Sequence, residues 1–220
     1  RATVEGDPAR GLSDLDHSIA VDPSYWTARG LRGWALLAAG RVSEAVAEVI
    51  GAAELNPWSP WYSGMPAHYL FLAGRVDEAL ARGRDAARRF PESDYAHFAL
   101  SQIASSRELH DEAIDAGRHA KALAPDTPLV HTSLASALAR AGHADDALAE
   151  IRAIEALPGP LPAVWLAPAW VALGNRERAI EMLELAREQG APQYVYTFYD
   201  PRFDELRDAG RITVTSAVTH

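Results

Sequence analysis

One spacing constrains this chain more than any other feature. Ala45, Ala79, Ala113 and Ala147 fall 34 residues apart, and Ala179 follows after 32. Twelve residues beyond the first three lie Pro57, Pro91 and Pro125, and five residues before those prolines lie Ala52, Ala86 and Ala120. The phrase GRVSEAV (Gly40–Val46) returns as GRVDEAL (Gly74–Leu80). Two small residues seven apart share one helix face and admit a neighbouring helix closely. A proline then stops the helix, because it lacks an N–H and its ring clashes with the preceding turn. A fixed period of this length marks stacked helix hairpins, none of which can bury its apolar face alone.

The pattern resembles the tetratricopeptide repeat, from about Gly6 to Gln189. The family's small residue of the first helix corresponds to Gly33, Ala67, Ser101, Ala135 and Ala167; its turn glycine to Gly40, Gly74, Gly142 and Gly174. The resemblance implies an all-α, right-handed solenoid of antiparallel helix hairpins (a superhelix). It would hold about five full repeats, an N-terminal half repeat and a C-terminal aromatic cap. The divisions are 1–23 for the half repeat, 24–190 for the array and 191–220 for the cap and tail. Helices are expected at 8–21, 24–39, 42–55, 59–73, 76–90, 93–106, 109–123, 127–141, 144–157, 161–173 and 176–189.

Several residues depart from the pattern. Glu108 stands where the third turn glycine belongs, and Gly83 and Gly117 replace a large residue, which predicts thinner and less stable second helices. Pro66 and Pro168 fall inside first helices and predict kinks or late starts. Arg29 and Arg32 occupy usually apolar sites, which puts the packing of the first full repeat in question. Asp7-Pro8 reads as a helix start, a cap followed by a ring suited to the first turn. The segment behind it, with Gly11, Leu15, Ser18 and Pro23, sits in register with the second half of a repeat. The chain therefore opens halfway through one, as either a degenerate capping helix or a piece of a longer protein.

After Gly190 the period stops. Tyr194, Tyr196, Phe198 and Tyr199 precede Asp200-Pro201-Arg202-Phe203-Asp204-Glu205-Leu206-Arg207. A last repeat exposes an apolar face, and this aromatic segment is suited to cover it. The phrase YDPRFDELRD is similar to the closing segment of arrays attached to bacterial transcription regulators, cyclases and kinases. Ile212–Val218 alternates apolar and polar residues, as a short strand or a loose tail does.

Charge and composition narrow the partners. The net charge of -9 argues against nucleic acid and anionic membrane, which need clustered cations. The absence of cysteine excludes disulfides, thiolate metal sites and cysteine nucleophiles, and fits a reducing compartment, hence an expected place in the cytoplasm. No apolar run approaches the roughly 18–20 residues that span a bilayer. No phosphate-loop, nucleophile-elbow, zinc-protease or dinucleotide motif is present, so no enzyme activity and no cofactor are expected.

In the family that the pattern resembles, first helices line a concave surface. The inward positions give Trp34 and Leu37; Trp61, Gly64, His68 and Phe71; Tyr95, Phe98, Gln102 and Ser105; then Leu129, Thr132 and Ser136. The first half of this face is aromatic and the second small and weakly polar. Trp34, Trp61, His68, Phe71, Tyr95, Phe98 and Gln102 are the candidate contacts for a protein or peptide partner with apolar side chains. The alternative for each ring is packing between neighbouring helices. For the whole face, the alternatives are a small apolar ligand or a permanent contact in a large assembly. His97 and His131 repeat one site and His68 lies nearby, but a hairpin spacing of roughly 10 Å is too wide for shared metal coordination. Arg82, Arg84, Arg88 and Arg89 form a basic cluster, which reads as a solvated face balanced by Asp77, Glu78 and Asp85.

Overall fold

The computed structural model describes residues 8–157 and 163–212. Ala45, Ala79, Ala113, Ala147 and Ala179 are fully buried, and around them the chain forms antiparallel helix pairs. α1 (Pro8–Val21) precedes α2 (Trp26–Ala38) with α3 (Val42–Leu55) and α4 (Pro60–Leu72) with α5 (Val76–Arg89). Then follow α6 (Asp94–Ser106) with α7 (His110–Leu123), α8 (Pro128–Arg140) with α9 (Ala144–Glu155), and α10 (Ala163–Ala172) with α11 (Arg176–Glu188). Two 3-10 segments, Pro192–Phe198 and Pro201–Phe203, and the short α12 (Asp204–Asp208) complete the described chain, in which no strand occurs. The helices from α1 to α11 end within two residues of their expected bounds. The helix start at Asp7 and the alternating stretch beyond Ile212 lie outside the described residues.

The turn between the helices of a pair is built the same way each time. Arg41 N–H donates to the Leu36 carbonyl at 2.8 Å and Gly40 N–H to the Leu37 carbonyl at 3.0 Å. This pair of bonds closes a helix only if the residue after its cap is left-handed, and Gly40 has φ 78°. The bonds recur at Gly74, Gly142, Gly174, Gly190 and Gly210, all with positive φ. Glu108 makes them too, at φ 58°, without the conformational freedom of glycine. The turn geometry thus overrides the residue at that position.

Two expectations change. Pro66 and Pro168 lie within α4 and α10 with both rings buried, and neither ends its helix. Arg29 and Arg32 do not spoil the first hairpin. Arg29 pairs with Glu48 at 3.4 Å, and Arg32 pairs with Glu48 at 3.0 Å and Asp16 at 2.6 Å, so two guanidinium groups tie α1, α2 and α3 together. Gly117 leaves no empty space, because an added Cβ would sit 3.1 Å from Leu134 Cα on the neighbouring α8. The glycine there trades helix propensity for a closer approach of two backbones.

First and second helices differ in how deeply they sink. α3 buries four of its fourteen residues, a one-sided stripe. α4 buries ten of thirteen, the would-be inward positions Gly64, His68 and Phe71 among them but not Trp61. A helix buried nearly all round has neighbours on every side. α4 touches α3, α5 and α6, and something also covers its inner face.

Glycine substitutions separate close approach from propensity. Gly51 lies within α3 with open space around it, so Gly51→Ala should stabilise by about 1 kcal/mol. At Gly64 a Cβ would lie 2.8 Å from the Tyr95 carbonyl oxygen and 2.9 Å from Ala96 Cα, so Gly64→Ala should destabilise by about 1–3 kcal/mol. Glu108→Gly should gain about 1 kcal/mol by relieving the left-handed strain. Urea melts check all three, and a neutral Gly64→Ala defeats the close-approach account.

Candidate functional site

The concave face carries a continuous row of rings. Trp61 lies 4.8 Å from Tyr95, Tyr95 5.3 Å from Phe98, Phe98 5.5 Å from His68, and His68 5.6 Å from Tyr196, centroid to centroid. The spacing suits offset and edge-on aromatic contact. Ser59 and Ser93 hold the starts of α4 and α6, each accepting a backbone N–H three residues on. Those caps fix the rotation of the two helices that supply Trp61, His68, Tyr95 and Phe98.

Of the seven candidate contacts, Trp61 is 55% exposed, while Phe71 and Phe98 are fully buried and His68, Tyr95 and Gln102 nearly so. Trp34 is partly buried. Four members of the set, Trp61, His68, Tyr95 and Phe98, stand in the row; Phe71 lies in the same apolar cluster. The face is therefore a filled channel rather than an open aromatic groove. The sequence reading missed Tyr69, buried in that cluster, and Trp26, edge-on to Tyr62 at 5.0 Å with Tyr62 seated over Gly30. It also missed Trp58, 81% exposed one turn before Trp61.

The filling side chains come from the C-terminal segment. It does cover the last hairpin, since Phe203, Leu206 and Ile212 pack with Ala167, Ala179, Ile180 and Leu183, and Tyr194 and Phe198 join them. Tyr196 and Tyr199 instead pack against the cluster of Tyr69, Phe71, Tyr95 and Phe98. Residues three apart share a side of a 3-10 helix, and this period could have set Tyr196 and Tyr199 together and apart from Tyr194 and Phe198. The phrase around Asp200 acts as a brace. Arg202 pairs with Asp200, both nearly buried, and Arg207 donates to the Thr197 and Asp200 carbonyls at 2.8 and 2.9 Å.

Burial also sets the protonation of the row. His68 Nδ1 lies 2.7 Å from the Tyr95 hydroxyl. Desolvation raises the Tyr95 phenol well above its ordinary value and lowers His68 to about 4. The phenol is therefore protonated and the imidazole neutral, and one hydrogen bond joins them. His131 behaves oppositely. Its Nδ1 lies 2.6 Å from Glu150 and its Nε2 2.7 Å from the Pro125 carbonyl, and the bond to Glu150 raises its pKa. His97 repeats the carbonyl contact, to Pro91 at 3.0 Å, and desolvation lowers it. These rings clamp the loops between hairpins. The basic cluster is engaged too: Arg84 makes a two-pronged contact with Glu112 at 2.7 Å, and Arg88 meets Asp85. Among the described residues no three His, Asp or Glu side chains converge on a metal-sized site.

The tetratricopeptide repeat family model matches residues 4–57 and 67–128. The chain belongs to the tetratricopeptide repeat family. Among solved structures it is similar to the thermophilic repeat protein TTC0263 of Thermus thermophilus, at 22% identity and a TM-score of 0.61, over 81% of this chain and 98% of that one. It is also similar to the type IV pilus biogenesis factor PilW, at 19% identity and a TM-score of 0.59, over 84% and 88%. MamA from Desulfovibrio magneticus RS-1 follows at 20% identity and a TM-score of 0.55, over 70% and 88%. No curated protein matches the chain. At such identities the likeness shows the fold, a right-handed helix-hairpin solenoid. Tetratricopeptide repeats are in general scaffolds for protein–protein interaction rather than enzymes. Among the described residues no helix is long and apolar enough to cross a membrane.

Two measurements test the site's chemistry. His68 folds neutral, so its contribution is present above pH 6.5 and lost as pH falls toward about 4, by about 3 kcal/mol. His131 folds with a raised pKa, so its contribution is present below 6.5 and lost as pH rises through the folded value. Melts of His68→Gln should lack the acid-side decline, whereas those of His131→Asn should keep it. Phe98→Ala should cost about 3–5 kcal/mol, as a core truncation does, whereas Trp61→Ala should leave the melt nearly unchanged.

Proposed function

We propose that the chain is a non-enzymatic scaffold that binds a segment of a partner protein at the aromatic end of its concave face. The observation that carries this reading is the ring row, because it ends in an indole that is more than half exposed and packed at a tilt against buried Tyr95. Large exposed aromatics anchored on a rigid base are the usual hot spots of protein interfaces. Trp58, exposed one turn earlier, widens the same end. Trp61 and Trp34 are the first contacts. His68, Phe71, Tyr95, Phe98 and Gln102 support them from beneath and meet a partner only if the covering tyrosines move.

The filled channel favours a protein segment over a small apolar molecule enclosed among these rings, since a segment can extend or replace what already lies there. A setting within a larger bacterial signalling or regulatory protein of the cytoplasm belongs to the same proposal, on the likeness of its closing phrase to such arrays.

A displayed random-peptide library tests the scaffold reading. Selection on the full chain should enrich peptides with two or more apolar or aromatic residues. Their affinity should fall at least about tenfold, or about 1.4 kcal/mol, on Trp34→Ala/Trp61→Ala at an unchanged melting temperature. No enrichment, or peptides indifferent to both tryptophans, would sink it.

A further inference from the structure

The channel's occupant is part of the chain. The 3-10 segment Pro192–Phe198 touches both α11, which it leaves, and α2, at the other end of the array. Tyr196 rests on His68 at 5.6 Å. The Tyr199 hydroxyl reaches the first hairpin turn, 3.5 Å from where a Cβ on Gly40 would be. Asp200 and Arg202 follow as a buried pair. This is the arrangement expected of a bound peptide: aromatic side chains three residues apart, laid across the inner faces of several first helices.

The fit is incomplete on its polar side. Gln102 Oε1, Ser105 Oγ and Ser136 Oγ, at inward positions of α6 and α8, are buried and meet no hydrogen-bond partner among the described residues, and the same holds for Arg202 Nη1. The described residues of the covering segment bring rings to the inner face and give none of these groups a hydrogen bond. A foreign segment that offered the same rings and also paired the amide and the two hydroxyls would bind better than the resident one. Arg207 holds the Thr197 and Asp200 carbonyls, and Phe203 and Leu206 anchor the segment on the last hairpin. Tyr196 and Tyr199 can therefore leave the channel while the cap stays seated.

We propose that Tyr196 and Tyr199, carried on residues 192–200, are a resident competitor for the concave face. The partner that replaces them carries two aromatic side chains three residues apart, together with polar groups for Gln102, Ser105 and Ser136. The partner half of this inference rests on the scaffold reading; the competitor half does not.

The test uses the chain's own segment as probe. A labelled synthetic peptide of residues 191–203 is titrated into the full-length protein and into Tyr196→Ala/Tyr199→Ala. The variant should bind at least about tenfold more tightly than the unaltered protein, whose channel is already occupied. The same peptide with alanine at both tyrosines should not bind the variant. Equal binding to both proteins, or no binding to a folded variant, overturns the competitor. Should the double variant melt below the assay temperature, Tyr199→Ala alone is read by the same criteria. Binding of the probe while library peptides ignore Trp34 and Trp61 would retain the competitor and remove the scaffold reading; the reverse result would remove the competitor alone.

Discussion

Backbone meeting backbone is the contact on which the other features depend. At the crossings of this stack the side chain is reduced to a methyl group or to nothing: Ala45, Ala79, Ala113, Ala147 and Ala179 are wholly enclosed, and Gly64 sets α4 against the carbonyl of Tyr95. Helices that approach this closely leave little freedom in their mutual angle. The rotation of each first helix, and hence which side chains face the channel, follows from that approach. Larger residues at these points would separate the hairpins and dissolve the ring row, because its rings come from different repeats and meet only at this spacing.

The row is an unusual use of the inner face. The rings of α4 and α6 form a wall around a neutral, desolvated histidine, and the wall is closed by two tyrosines from the far end of the chain. The solenoid thereby gains a cross-link between its first and last repeats that nearest-neighbour stacking alone would not supply. What remains open to solvent is the rim at Trp58 and Trp61. A partner entering there meets a rigid aromatic edge first and the covered channel second.

Much of this was legible residue by residue. The period marked the hairpins, the prolines marked the helix ends, and the turn glycines marked positions that must be left-handed; Glu108 shows that the position, not the residue, imposes that conformation. The inward positions of α4 and α6 were also legible, and four of the candidate residues do stand in one row. Exposure was not legible. Phe98 and Trp61 read alike in the pattern, yet one is core and the other rim. Arg29 and Arg32 read as faults until Glu48 and Asp16 were seen to meet them from neighbouring helices.

By itself the sequence determined the repeat, its helices, its turns and the small residues at the crossings, because each depends on neighbours within one or two hairpins. Only the tertiary structure decided what lies across the channel. The curvature summed over five hairpins brings α2 and the 192–198 segment together, although more than 150 positions separate them in the chain. No local pattern records such a sum. The aromatic run after Gly190 therefore read as a lid for the last repeat, while in the folded chain Tyr194 and Phe198 serve that lid and Tyr196 and Tyr199 fill the channel.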